Sequence, residues 1–157
     1  MTKKIICIST ARKNSQSVKN KNLIKIDNIP MLYHNIFNAL KIKEIDVVAL
    51  TTDIKIKKIN DKKFTYVKRP KKLSHNKSSH KETIIDCLEK IEKKFNKKYD
   101  YIVLILGNSI GAKKTDLSKA IKIIKKNNKI DSIVSVIKLN MFNPMRSMCI
   151  KNNRTFF

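Results

Sequence analysis

Short apolar runs alternate along the chain with segments whose apolar residues recur at helical spacing. The runs are rich in β-branched residues, as is typical of strands that are covered on both faces of a parallel sheet. They predict strands over residues 5–8, 45–50, 64–67, 101–106 and 132–137. The run at 101–106 is the most hydrophobic, which predicts that it lies at the centre of the sheet.

Helical patterns fill most of the intervals between these runs. Pro30 suits the first turn of a helix, and apolar residues follow it at helical spacing as far as Leu40. Further helices are predicted over residues 80–94 and around 117–124, with a shorter helix or turn around 54–59. The predicted inward-facing residues of the two later helices are Ile84, Ile85, Leu88, Ile91, Leu117, Ala120, Ile121 and Ile124.

This alternation of strands and helices predicts an α/β protein. Because crossovers between parallel strands are right-handed, it favours a Rossmann-like, doubly wound, mainly parallel sheet with helices on both faces. A chain of 157 residues, 41% of them hydrophobic, suits one domain with a substantial core. The sequence contains no internal repeat or low-complexity linker, so residues 1–157 are predicted to form a single domain.

The formal net charge of +24 invites a nucleic-acid interpretation. Clustered lysines would support it, because they release counterions from phosphate backbones. In this chain, however, lysines occur on nearly every predicted helix and turn, and no aromatic residues alternate with them to stack on bases. Heavy use of Lys, Asn and Ile is also what an AT-rich genome encodes. Codon bias is the favoured explanation, and a basic nucleic-acid-associated protein stays open as an alternative.

The cysteines indicate a reduced compartment. Cys7, Cys87 and Cys149 are odd in number, widely spaced and set in apolar runs, so they are predicted to be small core residues. Neither they nor His75 and His80 have metal-ligand spacing. The N-terminal apolar run is too short for a signal peptide, and no run approaches the length of a membrane span. We therefore predict a cytoplasmic protein with neither a membrane nor a nucleic acid as partner, and the sequence leaves any metal ligands unknown.

The loop after the first predicted strand carries the strongest candidate chemistry. In open parallel sheets, ligands bind beyond the carboxyl ends of the strands. This loop offers cations and neutral hydrogen-bond donors that suit phosphate: Arg12, Lys19, Lys21, Asn14, Ser15 and Asn22. An ordinary solvated connection in a lysine-rich chain is the alternative.

Rare residues point to the same edge of the sheet. The two glycines, Gly107 and Gly111, fall in one loop after the run at 101–106, where a ligand would need close approach to the backbone. Arg12 ends the first predicted strand and Arg69 follows the third. A planar guanidinium binds phosphate or carboxylate in a fork that lysine cannot form. These residues together predict a ligand site at this edge.

Four short motifs occur in order along the chain. They are Ala11-Arg-Lys-Asn-Ser-Gln-Ser-Val-Lys-Asn-Lys-Asn22, Thr51-Thr-Asp53, Arg69-Pro-Lys-Lys-Leu73 and Ser132-Ile-Val-Ser-Val136. They resemble the A-R-x-x-S-K-x-[IL]-x-x-K-N, S-T-D, R-P-x-x-L and S-V-V-S-V motifs of the acylneuraminate (CMP-sialic acid) cytidylyltransferases. The pair Lys21-Asn22, in place of Lys-Pro, is nearer to the enzymes for sialic, pseudaminic and legionaminic acids than to the KDO branch.

The resemblance implies a nucleotide-diphospho-sugar transferase fold and transfer of CMP from CTP to the anomeric hydroxyl of an acidic nine-carbon sugar. Pyrophosphate leaves, and Mg²⁺ with basic groups offsets the charge developing on the phosphates. It also implies catalytic roles for Arg12 and Lys21 and a homodimer for the full-length enzyme. Together with the glycine loop, it predicts these nucleotide-binding residues: Ala11, Arg12, Ser15, Lys21, Asn22, Arg69, Ser79, His80, Gly107 and Asn108.

Three departures from the family pattern affect these expectations. Gln16 replaces a lysine and cannot neutralise a phosphate, so Lys13 or Lys19 would have to substitute. Gly107-Asn108 stands where the family has Gln-Pro, which leaves Asn108 as the nearby amide for the cytosine. The chain also ends before the lobe that carries the dimerisation hairpin, the sugar contacts and late carboxylates. A truncated chain with little or no CMP-sugar synthesis is therefore expected.

Two alternatives remain open within this interpretation. Ser79-His-Lys-Glu82 has the pattern of a capping box, so Ser79 has a pure capping role as its alternative. The departures at Gln16 and Gly107 also suit a catalytically inactive relative that binds a nucleotide or sugar. A turnover assay would separate that relative from an enzyme.

Overall fold

A computed structural model describes residues 3–13, 18–75, 77–136, 149–151 and 154–156. The strands are β1 (Ile5–Ala11), β2 (Lys25–Ile26), β3 (Ile29–Pro30), β4 (Val47–Thr52), β5 (Phe64–Lys68), β6 (Tyr101–Leu106), β7 (Cys149–Lys151) and β8 (Arg154–Phe156). The helices are α1 (Met31–Leu40), α2 (His80–Phe95) and α3 (Lys114–Lys126), and single 3₁₀ turns cover Lys21–Leu23 and Lys71–Leu73. The longer predicted elements are thus confirmed, with bounds shifted by a few residues.

The main sheet is parallel and has the strand order β5-β4-β1-β6. After β1 the chain adds β4 and β5 on one side, and then crosses back to add β6 on the other side of β1. Ala11 pairs with Thr52 of β4, and Thr10 pairs with Leu106 of β6. The direction of winding therefore reverses between β1 and β6, which is the point where open α/β sheets bind their ligands.

Helices cover both faces of this sheet, as predicted. Ile5 and Cys7 of β1 point to one face, where they pack with Ile36 of α1 and Ile121 of α3. The alternate β1 side chains, such as Ile8, pack on α2 at the opposite face. The strand alternation thus divides one apolar run between two cores, and β1 is buried along its whole length.

The predicted central position of β6 is wrong for the sheet that the structure describes, since β1 and β4 hold the middle. On the α2 side of the sheet, Ile102, Leu104 and Leu106 of β6 are 42%, 43% and 43% exposed. Ile85 of α2, predicted to face inward, is also 42% exposed, whereas Cys87 and Ile91 are fully buried. Hydrophobicity along one strand does not reveal how many neighbours cover it.

The predicted fifth strand is also wrong over residues 132–136, which form no regular element. Val134 is 76% exposed and Val136 is 90% exposed. A β-branched sequence becomes a strand only when neighbouring chains pack against it. Ile137 lies outside the described residues. Residues 55–60, predicted to include a short helix or turn, likewise have no regular structure.

The segment just before α1 has two smaller features. β2 and β3 form a hairpin whose turn residues, Asp27 and Asn28, both have positive φ, as a type I′ turn requires. Pro30 directly precedes α1 instead of lying in its first turn.

Within the described part of the chain, no helix combines the length and apolarity needed to cross a bilayer.

Candidate functional site

The carboxyl ends of β1 and β6 meet at the reversal point of the sheet. The Gly107 N–H donates to the Thr10 carbonyl over 3.0 Å, which extends the β1–β6 ladder one step beyond β6. Arg12 follows β1 directly and is half-buried, and Asn108 is exposed next to Gly107. The predicted loop residues and the predicted glycine loop therefore lie side by side.

Gly107 is needed for packing within the protein itself. A Cβ at this position would lie 3.0 Å from the Thr10 carbonyl oxygen, 3.1 Å from Ala11 Cβ and 3.3 Å from Asn22 Oδ1. The close approach that the structure shows at Gly107 is that of the end of β1. At Gly111 a Cβ would meet nothing within 4 Å, so no neighbouring protein atom in the described residues requires a glycine there.

Asn22 links the first loop to the end of β1. Its side chain is buried, and Nδ2 donates to the Arg12 carbonyl over 2.9 Å. Lys21 precedes it in the 3₁₀ turn and is half-buried. Asn20, just before this turn, has the left-handed conformation with φ 54°, which Asn adopts more easily than most residues. The turn holds Asn22 against the strand and leaves Lys21 at the same edge.

Arg69 lies at the end of β5 and is only 7% exposed. Its backbone N–H donates to the Thr52 carbonyl over 3.0 Å, and its Nε donates to the Leu73 carbonyl over 2.8 Å. Burial lowers the pKa of Arg69, the charge of Asp53 acts in the opposite direction, and Arg12 lowers it further. An arginine stays protonated at neutral pH despite such shifts. Arg69 is therefore a buried cation that is held by a hydrogen bond through Nε, and the charge of Arg12 acts on it.

His80 begins α2, whose N-terminus points to the same edge. His80 Nε2 lies 2.9 Å from Thr10 Oγ1, so the helix start is joined to β1 across 70 residues of chain. Partial burial of the ring and the Arg69 charge both lower the pKa of His80, although the residue is exposed overall. Ser79 is the N-cap: its side chain accepts from the Glu82 N–H over 3.3 Å, as the capping interpretation predicts.

The structure therefore brings most of the predicted site residues to one edge. Those that it places there are Ala11, Arg12, Lys21, Asn22, Arg69, Ser79, His80, Gly107 and Asn108. The predictions for Asn14, Ser15 and Gln16 concern positions outside the described residues. His75, expected in a loop, lies exposed in one. Cys7 and Cys87 are buried free thiols, as predicted.

Sequence reasoning gave no role to Thr10, Asp53 or Asn35. Asp53 Oδ1 accepts from the Lys13 N–H over 2.7 Å, and the fully buried Asn35 of α1 donates through Nδ2 to the Leu106 carbonyl over 2.9 Å. A lone amide inside the apolar stripe of α1 was the available signal for Asn35. For Asp53 the signal was a carboxylate directly after a buried strand in a lysine-rich chain.

Magnesium is implied by the family resemblance and can be tested against the described residues. Among them, no three or more His, Cys, Asp and Glu side chains group so that they could hold a metal ion. Mg²⁺ often binds through one or two carboxylates together with substrate phosphates. The described residues therefore show no metal centre built wholly from protein side chains, and the cations described at this edge include Arg12 and Arg69.

A cavity of about 480 Å³ lies to one side of this edge, between β5 and α2. It shares Arg69 with the site, but its other walls include Lys68, Lys90 and Lys94 on the flank of the sheet. The reversal point between β1 and β6 lies elsewhere. We therefore locate the candidate site from the converging side chains and backbone groups and not from this cavity.

The sheet is parallel, the order in which its strands are added reverses between β1 and β6, and arginines and a helix N-terminus lie at its carboxyl edge. These features define an α/β protein of the Rossmann type, a fold whose ligands bind at this edge. Residues 6–151 match the sequence model of the cytidylyltransferase family. The match covers most of the chain, so the chain belongs to the cytidylyltransferase family. The family resemblance in the motifs is thereby confirmed at this level.

Solved structures share the fold. CMP:2-keto-3-deoxy-manno-octonic acid synthetase, solved in complex with CTP, superposes with a TM-score of 0.58 over 80% of this chain, at 16% identity. Rv0371c from Mycobacterium tuberculosis H37Rv superposes with a TM-score of 0.57 over 78%, at 14% identity. The chain spans 48% of the length of the first and 61% of the second. No curated protein matches the sequence significantly.

Proposed function

We propose that the chain binds CTP at the carboxyl edge of β1 and β6, as the nucleotide-binding part of a CMP-sugar synthetase. The full reaction would transfer CMP from CTP to the anomeric hydroxyl of an acidic nonulosonic sugar of the sialic type. Family membership supports the use of CTP. The observation that carries the location is the convergence of Arg12, Asn22 and Gly107 at the reversal point of the sheet.

The charges at this edge suit a triphosphate. Arg12 and Arg69 lie close enough to influence each other electrostatically, and partial burial of Arg69 strengthens its attraction for an anion. The N-terminus of α2 adds the positive end of a helix dipole beside His80. Like charges held this close repel each other until an anionic ligand arrives. The arrangement therefore favours a ligand with several negative charges.

In the proposed reaction the hydroxyl oxygen of the sugar attacks the α-phosphorus of CTP in line. The new oxygen–phosphorus bond forms, the bond to the β-phosphate oxygen breaks, and pyrophosphate leaves while the hydroxyl proton is released. Arg12 and Lys21 are proposed to stabilise the charge that develops on the phosphates. The triphosphate would supply most of the ligands for the Mg²⁺ that the resemblance implies, because the described residues hold no cluster of three or more candidate ligands, and the ion would offset charge on the phosphates.

The sugar class rests on the motif Lys21-Asn22. A buried asparagine at position 22 holds the Arg12 carbonyl by donating from its amide, which a proline could not do. The sugar itself, the homodimer and a cytoplasmic location remain predictions from the resemblance and the composition.

Calorimetry with CTP tests the location of the site. Arg12→Ala should weaken CTP binding by about 1.5–3 kcal/mol, because it removes a charge-assisted hydrogen bond. Lys43→Ala is the matched control: it removes one exposed cation near the amino end of β4, and CTP affinity should stay unchanged. Equal affinity for wild type and Arg12→Ala would remove this loop from the site.

A catalytically inactive nucleotide-binding relative is the second candidate. It is favoured by Gly107, because on this backbone a side chain at position 107 would collide with Thr10 and Ala11. The glutamine that the family places there could not be accommodated without a shift of the strand ends. Incubation with CTP, Mg²⁺ and a panel of nonulosonic acids separates the candidates, since only the enzyme releases pyrophosphate while both bind CTP.

A further inference from the structure

We propose that Asp53 is a positioning residue for the nucleotide site: it holds the backbone next to Arg12, and so the place of the Arg12 guanidinium. The inference rests on the proposed nucleotide binding by Arg12. Asp53 directly follows β4 and has no role in that proposal. Its carboxylate instead reaches the neighbouring strand end, where Oδ1 accepts from the Lys13 N–H over 2.7 Å.

The bond completes a clamp on a single peptide group. The Arg12 carbonyl and the Lys13 N–H belong to the same peptide unit. Asn22 Nδ2 donates to that carbonyl over 2.9 Å, and Asp53 accepts from that N–H over 2.7 Å. A peptide unit is planar, so two side chains that hold its opposite sides fix its rotation about the strand axis. The direction in which the chain leaves β1 is thereby set.

The clamp stands where the strand pairing stops. The β1–β4 ladder ends at the pair Ala11 and Thr52, so no further β4 backbone group is paired with β1. Asp53 directly follows the last residue of β4. Its side chain accepts a hydrogen bond from the β1 segment one step beyond the point where backbone pairing between the two strands ends. A backbone donor that is held by a carboxylate is bound more strongly than one held by a neutral acceptor.

The negative charge of Asp53 also acts on Arg69, and this electrostatic effect must be separated from the hydrogen bond to the Lys13 N–H. Burial lowers the pKa of Arg69, Asp53 raises it and Arg12 lowers it, so the three charges interact. Within the described ranges, the ion pairs closer than 4 Å are Lys90–Asp86 and Lys98–Glu92, and Asp53 belongs to neither. Its direct bond goes to the backbone. We therefore assign to Asp53 the role of holding the Arg12–Lys13 peptide in place, in addition to its electrostatic effect on Arg69.

Three substitutions separate position from charge. Asp53→Asn keeps an acceptor oxygen in place and removes the charge, whereas Asp53→Glu keeps the charge and moves the carboxylate outward. Asp53→Ala removes both. Asp61→Ala is the control, because Asp61 makes the same type of bond, to the Lys63 N–H over 2.8 Å, away from the site.

Two measurements decide the matter: CTP affinity by calorimetry, and amide hydrogen exchange of Lys13 by NMR. We expect Asp53→Ala and Asp53→Glu to weaken CTP binding about 10-fold to 100-fold and to speed exchange of the Lys13 amide by about 10-fold or more. Asp53→Asn keeps a weaker, neutral acceptor, so both changes should be clearly smaller than in Asp53→Ala, and Asp61→Ala should change neither.

The outcomes separate this proposal from the one on which it rests. Wild type that fails to bind CTP overturns the proposed function, and the Lys13 amide then decides whether Asp53 clamps the backbone. The clamp is overturned if that amide exchanges equally fast in wild type, Asp53→Ala and Asp53→Glu. If Asp53→Asn binds CTP as weakly as Asp53→Ala, the carboxylate acts through its charge, and positioning is the wrong explanation.

Discussion

At the scale of single residues, His80 is the titratable group most directly coupled to the proposed site. Its ring contacts Thr10, and Arg69 is the nearby cation that influences it. Partial burial and the Arg69 charge lower the pKa of His80 below the ordinary value of 6.5, which favours the neutral ring. A bound triphosphate would bring negative charge and should raise this pKa again.

An NMR titration of the His80 ring tests this expectation. The midpoint should lie below 6.5 in the free protein, should rise in Arg69→Gln, and should rise when CTP is added. The sign for stability follows: a pKa that is lower in the folded state means that the unfolded state binds more protons, so stability falls as the pH drops through this range. A midpoint at or above 6.5 without ligand would contradict the structure.

Gly107 provides the sharpest steric prediction. Its Cβ would lie 3.0 Å from a backbone carbonyl oxygen, which cannot move without disturbing the β1–β6 ladder. Gly107→Val should therefore abolish CTP binding and lower the free energy of unfolding by about 1–3 kcal/mol. Circular dichroism should remain native-like, because the disturbance is confined to the ends of two strands.

The matched control for that experiment is Gly111→Ala. Nothing lies within 4 Å of the added Cβ at Gly111, so urea unfolding and CTP affinity should both match wild type. CTP binding that survives in Gly107→Val would mean that this glycine serves the packing on β1 and not the nucleotide. The assignment of cytidine to the neighbourhood of Asn108 would then lose its local support.

At the scale of elements, the start of α2 combines capping with the proposed binding of an anion. Ser79→Ala should lower the free energy of unfolding by about 0.5–2 kcal/mol, the usual cost of losing an N-cap, which urea unfolding measures. Ser79→Asp keeps a capping oxygen and should restore that stability. Ser118→Ala, inside α3, removes a hydroxyl that caps no helix and serves as the control.

CTP affinity in the same variants resolves the alternatives for Ser79. If the hydroxyl only caps α2, Ser79→Ala should bind CTP as wild type does, once both are compared under conditions where they are folded. If Ser79 also contacts the nucleotide, Ser79→Ala should lose affinity, and Ser79→Asp should lose more because its charge repels the phosphates.

At the scale of the whole molecule, the net charge of +24 predicts weak and salt-sensitive attraction to any polyanion. Binding to arbitrary DNA that used 6–10 phosphate contacts would lose about 10³–10⁵ in affinity between 50 mM and 200 mM salt. CTP carries fewer charges and, in the proposed site, would be held by buried groups such as Arg69, so its affinity should fall far less. Calorimetry at both salt concentrations makes the comparison.

The reverse result would change the interpretation of the molecule. Tight DNA binding that persists at 200 mM salt, together with no detectable CTP binding, would favour the nucleic-acid-associated alternative. Replacing Lys43, on the opposite edge of the sheet from Arg12, should reduce DNA binding as much as replacing a lysine near the site if the attraction is nonspecific.

Local patterns carried most of the fold prediction. The buried run of β1 and the apolar stripe of α2 identified their elements because burial on one or two faces leaves a periodic trace in the sequence. The motif positions Arg12, Asn22 and Arg69 were also placed correctly at the carboxyl edge. A strand end followed by rare, chemically distinct side chains is a signal that needs no knowledge of distant neighbours.

The sequence by itself thus determined the α/β class, most of the longer elements and the edge at which the candidate site residues meet. Only the tertiary structure decided that β6 lies at the edge of the described sheet, that residues 132–136 are not a strand, and that Gly107 packs on β1. The same holds for the links from Lys13 to Asp53 and from Thr10 to His80, which join groups 40 and 70 residues apart. Periodicity reports the environment of a residue, whereas these features depend on which particular segments become neighbours after the chain has folded.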